Sequence, residues 1–145
     1  MKTISQTITD YLKVISASRS KNTARTYQNG LAVYKDVLRN NSVEPDSVDI
    51  SDLTEESIIL MIEHMHAYSP ATEQLYLQAA INYFEYLSAE NLAQVNLVRA
   101  RLLIRQRSRK MGMRLPQFPR NALDSIIEKL YALIQKPVES QQEHL

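Results

Sequence analysis

The chain has 145 residues, with 17 lysines and arginines against 16 aspartates and glutamates, and a formal net charge of +1. The absence of cysteine excludes disulfides and thiolate metal sites, and no apolar run is long enough for a membrane span or a signal peptide. The length suffices for one domain with a hydrophobic core, and two glycines among long periodic segments predict an all-α fold. The lack of cysteine, signal peptide and membrane span predicts a cytoplasmic protein.

The charges are unevenly distributed along the chain. Residues 1–39 contain seven Lys or Arg against two Asp, and residues 40–98 contain ten Asp or Glu and no Lys or Arg. Residues 99–120 then contain eight Lys or Arg and no acid. If the two basic blocks meet in space, they form one basic surface with the acidic segment turned away from it.

Two amphipathic helices are predicted in the first basic block. The first spans about Ser5 to Ser18, and its apolar stripe consists of Ile4, Ile8, Tyr11, Leu12 and Ile15. The second begins after Ser20, a good N-cap, and runs to about Asn40. Its apolar stripe consists of Thr23, Tyr27, Leu31, Tyr34 and Leu38, and its opposite face of Lys21, Arg25, Gln28, Lys35 and Arg39. Its start favours phosphate through free N–H groups and the helix dipole, although a basic face can also be merely solvated.

The acidic middle of the chain predicts two further helices. After a polar loop, Thr54 caps the third helix, where Leu53 and Ile58 can pack as a hydrophobic staple. Ser69 and Pro70 start the fourth helix, which runs to about Ala89. Its broad apolar stripe indicates the central helix of a bundle and consists of Tyr76, Leu77, Ala80, Ile81, Tyr83, Phe84 and Leu87.

The second basic block starts with a fifth helix, predicted from Asn96 to about Lys110 with arginines almost all round it. Residues 111–120 predict an extended linker, residues 121–136 a last helix, and residues 137–145 a disordered tail. We expect the apolar face of the last helix to need a partner that the bundle does not supply. That face consists of Leu123, Ile126, Ile127, Leu130, Leu133 and Ile134.

Several motifs follow one another in a distinctive order. They are Ser20-x-x-Thr23-x-x-x-Tyr27-x-x-x-Leu31, Leu53-Thr54, Ser69-Pro70-Ala71-Thr72, Tyr83-Phe84-x-Tyr86-Leu87 and Arg114-Leu115-Pro116. From about Ser5 to Ile134, the chain resembles the N-terminal core-binding (SAM-like) domain of the tyrosine recombinases, the phage integrase and Xer-like family. In this resemblance, residues 1–110 are the core-binding bundle, and the helix from Asn121 is the first helix of the catalytic domain.

The resemblance implies a four- to five-helix bundle that forms half of a C-shaped clamp around duplex DNA at a recombination site. In that family the second and fourth helices approach the major groove, and the linker crosses the DNA backbone. The catalytic arginine, histidine and tyrosine set lies beyond these 145 residues, so we expect binding without catalysis, cofactor or metal. The implied parent is a DNA strand-exchange recombinase of a mobile genetic element. Its implied partners are double-stranded DNA and other protomers, with no membrane and no small-molecule substrate.

The predicted DNA-binding residues lie on three elements. On the second helix they are Arg19, Lys21, Asn22, Arg25 and Gln28. On the fourth, which lacks Lys and Arg, they are Thr72, Gln74 and Gln78, and Glu73 is expected to stabilise the helix start. On the fifth helix and linker they are Arg99, Arg105, Arg107, Arg109 and Lys110. Most are expected to contact phosphate, whereas glutamine can read adenine.

The tyrosines and two of the histidines have a purely structural interpretation, and the chain as a whole has a second candidate function. The tyrosines in the apolar stripes are expected to be core residues rather than nucleophiles. His64 and His66 are expected to be exposed polar residues at a helix end rather than metal ligands. The rival function is a helical protein–protein interaction module that uses the apolar face of the last helix. It leaves the all-positive charges of residues 99–120 unexplained.

Overall fold

A computed structural model of the chain describes residues 1–109 and 127–131. The five longer helices are α1 (Ile4–Ser18), α2 (Lys21–Asn40), α3 (Ser57–Met65), α4 (Pro70–Ala89) and α5 (Leu97–Arg107). A 3-10 helix spans Ile50–Asp52, and residues 127–131 form a further helical segment, here called the C-terminal turn. The described residues contain no strand, which confirms the all-α prediction.

Short polar side chains set most of the helix starts. The Ser20 hydroxyl accepts a hydrogen bond from the Thr23 N–H at 3.2 Å, and the Ser69 hydroxyl accepts one from the Thr72 N–H at the same distance. The Asn96 Oδ1 accepts one from the Arg99 N–H at 2.9 Å. Each bond satisfies a backbone donor that the first turn leaves unpaired. The predicted starts of α2, α4 and α5 are therefore confirmed.

The start of α3 differs from the prediction. This helix begins at Ser57, three residues after the expected cap at Thr54. The carboxylate of Glu55 instead accepts a hydrogen bond from the Asn96 N–H at 2.9 Å and forms an ion pair with Arg99 at 3.0 Å. We attribute the later start to this tertiary contact, which the local staple pattern does not reveal.

The core lies where α2 and α4 pack together, with α1, α3 and α5 around them. A Cβ on Gly30 would lie 3.3–3.4 Å from atoms of Tyr76, so the missing side chain lets the two helices approach closely. Tyr34 and Tyr83 are buried, and their hydroxyls pair with Ser57 at 2.6 Å and Thr7 at 2.7 Å. Burial raises the pKa of both phenols. The predicted core placement of these tyrosines is confirmed.

None of the helices in the described part of the chain combines the length and the apolar character that crossing a membrane requires.

Candidate nucleic-acid interface

The exposed side of α2 carries Lys21, Arg25 and Gln28, here called the α2 face. Their spacing of four and three residues places them on one side of the helix, and all three are exposed. Lys21 and Arg25 make no ion pair with any residue in the described ranges. The α2 face therefore offers two unneutralised cations beside an amide.

An open groove between α1 and α2 adjoins the α2 face. Its lining residues are Thr9, Leu12, Lys13, Ser16, Ala17, Ala24 and Gln28, which include one cation and no acid. The acid on α1, Asp10, is held by Lys2 at 2.7 Å, and this contact lowers the pKa of the Asp10 carboxyl. The basic character of the α2 face thus extends across the groove to Lys13.

The arginines of α5 divide into two groups. Arg99 pairs with Glu55 and Glu56 in the segment just before α3, and Arg101 pairs with Glu85 of α4 at 3.1 Å. Ala100 and Leu103 are buried, so α5 is packed on the bundle along one side only. The exposed Arg105 and Arg107 make no side-chain ion pair within the part of the chain that the structure describes. Two of the predicted cations of α5 are therefore open to a partner, whereas Arg99 already has one.

Arg109 is bound where the ends of three helices meet. Its Nε donates to Glu73 Oε1 at 2.8 Å, and its backbone N–H donates to Glu73 Oε2 at 2.7 Å. Its Nη2 donates to the carbonyl oxygens of Met65 and Tyr68, at the end of α3. Glu73 is completely buried. This arrangement joins α3, α4 and α5, which gives Arg109 a structural role. To contact DNA as predicted, its guanidinium would have to break these bonds.

The start of α4 is largely engaged with its own protein. The amide of Gln74 donates to the carbonyl oxygen of Arg109 at 2.9 Å, and the Thr72 hydroxyl accepts a hydrogen bond from Ser69 at 3.0 Å. Gln78 is exposed one turn further along. Glu73 was predicted only to stabilise the start of its own helix, and its partner Arg109 was not predicted from the sequence. No local signal marks the pair, because Glu73 lies between Thr72 and Gln74 and its partner is 36 residues away in the sequence.

The C-terminal turn lies against the start of α2. Glu128 accepts a hydrogen bond from the Ser20 hydroxyl at 2.6 Å and another from the Asn22 amide at 3.2 Å. Ile127 is 1% exposed and Leu130 is 4% exposed, so both belong to the bundle core. The expectation of an uncovered apolar face is therefore wrong for these two residues. The other four residues of that face lie outside the described ranges, as do Lys110 and the predicted linker.

The remaining predicted positions lie at helix ends. Arg19 is exposed just after α1 and already takes part in an interaction within the protein. His66 is exposed, and its Nε2 lies 3.4 Å from the carbonyl oxygen of Arg107. Among residues 1–109 and 127–131, no three His, Asp or Glu side chains are grouped so that they could hold a metal ion.

The positions of the two open basic groups follow from how the helices pack. Both α2 and α5 pack against α3 and α4, which connect them. That Lys21 and Arg25 share one side of the bundle with Arg105 and Arg107 stays a prediction. Comparisons of the chain with protein-family models, with curated proteins and with solved structures found no match. The candidate interface therefore rests on the chain's own residues.

Proposed function

We propose that this chain binds duplex DNA as the N-terminal clamp domain of a site-specific tyrosine recombinase. In this proposal the catalytic arginine, histidine and tyrosine set lies outside the 145 residues. The observation that carries the proposal is the α2 face, where Lys21 and Arg25 are exposed and have no ion-pair partner among the described residues. Cations without internal partners can neutralise DNA phosphates and release their counterions.

The internal ion pairs explain why we assign the main contact to α2. The second basic block is used in part to neutralise the acidic middle of the chain, through Arg99, Arg101 and Arg109. These pairs hold α5 on the bundle and remove charge that could otherwise attract an anion. The open cations that remain on α5 are Arg105 and Arg107, to which we assign phosphate contacts that fix orientation.

Roles along the α2 face follow from side-chain chemistry. Lys21 and Arg25 contact phosphate, and the exposed amide of Gln28 faces the bases, where it can make two hydrogen bonds to adenine. On α4, Gln78 is exposed in the same way, whereas Gln74 is bound to the carbonyl oxygen of Arg109. The proposal therefore keeps Gln78 as a DNA contact and needs no contact from Gln74.

Electrophoretic mobility shifts of a random 20-base-pair duplex, measured over a range of salt concentrations, test this proposal. With four phosphate contacts, the logarithm of the association constant is expected to fall with the logarithm of salt at a slope of about −3.6. Lys21→Ala and Arg25→Ala should each reduce the steepness of that slope by about one.

Lys2→Ala is the matched control, because this exposed lysine is already paired with Asp10 at 2.7 Å. It removes the same charge and should leave the slope unchanged. If DNA binding cannot be measured at low salt, or if Lys2→Ala and Arg25→Ala have equal effects, the assignment to the α2 face is wrong.

A protein contact through α5 is the second candidate function. Val98 is 74% exposed and Leu102 is 41% exposed, and their spacing places them one turn apart on the same side of the helix. Among the described residues this patch supports the interaction hypothesis, whereas Ile127 and Leu130 of the last helix are buried. Sedimentation of the double variant V98S/L102S beside the unaltered chain tests for self-association through this patch. If the patch mediates self-association, the unaltered chain should sediment as a larger species than the variant.

A further inference from the structure

We propose that the C-terminal turn is an autoinhibitory element whose Glu128 occupies the place of a DNA phosphate at the start of α2. This inference rests on the proposed function, because it assigns a competitor to the same DNA-binding surface. It concerns an interaction between parts of the chain separated by 108 residues, Ser20 and Glu128.

The contact is built from one charged group and two apolar anchors. The two carboxylate oxygens of Glu128 accept separate hydrogen bonds, from the Ser20 hydroxyl at 2.6 Å and from the Asn22 amide at 3.2 Å. On either side of it in the sequence, Ile127 and Leu130 are buried in the core. The carboxylate is therefore held over the helix start by packing as well as by hydrogen bonds.

The chemistry of this position is that of an anion site. Ser20 caps α2 and Asn22 lies in its first turn, next to Lys21, where the helix dipole is positive. A carboxylate and a phosphate oxygen accept the same hydrogen bonds, so only one of them can occupy Ser20 and Asn22 at a time. DNA that reaches these two residues must displace Glu128, and the free energy of docking the turn is lost from its affinity.

Two variants of the full chain test the competition, with the same random 20-base-pair duplex as the probe. Glu128→Gln removes the competing charge, and Leu130→Ala weakens the docking of the turn without changing any charge. The control is Glu63→Gln, an exposed residue of α3 with no side-chain partner among the described residues, which raises the net charge equally.

At low salt, Glu128→Gln is expected to bind about fivefold more tightly than Glu63→Gln, and Leu130→Ala more tightly than the unaltered chain. Circular dichroism melts establish that each variant is folded at the assay temperature. If the unaltered chain binds DNA and Glu128→Gln does not exceed Glu63→Gln, the competition is refuted while the proposed function stands. A folded Leu130→Ala without increased affinity also refutes it. If no protein in the set binds DNA, the proposed function and this inference both fail.

Discussion

Removal of the Arg109 side chain should destabilise the bundle, because it leaves the Glu73 carboxylate buried without its charge partner. Glu73 is completely buried, and the guanidinium contacts it at 2.8 Å. The same guanidinium also binds two carbonyl oxygens at the end of α3. The change Arg109→Ala therefore disrupts the junction of α3, α4 and α5 in one step.

The magnitude follows from the burial of each partner. Removing one partner of a buried ion pair typically costs about 3–5 kcal/mol. Here the Arg109 side chain is 38% exposed, so water already screens part of the attraction. Glu73 also keeps the hydrogen bond from the backbone N–H of residue 109 at 2.7 Å. We therefore expect a loss of about 2–3 kcal/mol in the free energy of unfolding, or about 7–10 °C in the melting temperature.

Urea denaturation followed by circular dichroism measures this loss, and Arg107→Ala is the matched control. Arg107 is exposed two residues away and has no side-chain ion pair in the described part of the chain. Its removal should change stability by less than about 0.5 kcal/mol and should weaken DNA binding instead. Equal stability of the two variants would refute the structural role assigned to Arg109. If Arg109→Ala is as stable as the unaltered chain and its DNA affinity depends less steeply on salt, Arg109 contacts DNA as the sequence predicted.

Three further changes test the packing and the ion pairs. Gly30→Val should lower the free energy of unfolding by about 2 kcal/mol in thermal melts, because even a Cβ would lie 3.3 Å from Tyr76. Tyr83→Phe should lower it by about 1 kcal/mol in urea denaturation, through loss of the hydrogen bond with Thr7; an unchanged midpoint would contradict that bond's contribution. The pKa of Glu55 lies below its ordinary value of 4.5, mainly because of the hydrogen bond from the backbone N–H of residue 96. Stability from this group is thus fully present above pH 4.5 and is lost as the pH falls through the lowered value, so Glu55→Gln should flatten the acid limb of a pH–stability curve.

Most helix starts could be predicted because their determinants are local. A cap such as Ser20, or the pair Ser69-Pro70, acts on backbone groups within the next turn. The apolar stripes likewise depend only on the period of the helix. Among the described helices, the misplaced start is that of α3, where Glu55 binds residues about forty positions away instead of its own helix.

The candidate site was predicted only in part, because charge along a chain does not reveal which charges meet. The basic block from residue 99 suggested a continuous anion-binding surface. In the fold, Arg99, Arg101 and Arg109 instead pair with acids of α4 and of the segment before α3. Whether an arginine is open to a partner depends on the helix packed beside it, which neither composition nor spacing specifies.

The amino-acid sequence by itself determined an all-α chain, the positions of its helices and the residues of its core, since capping and helical periodicity act over a few residues. Only the tertiary structure decided that Arg109 is bound to the buried Glu73, 36 residues away, and that Glu128 lies on the start of α2. The physical reason is that ion pairs and buried hydrogen bonds form between groups that folding brings together, and their strength depends on the burial that the same folding creates.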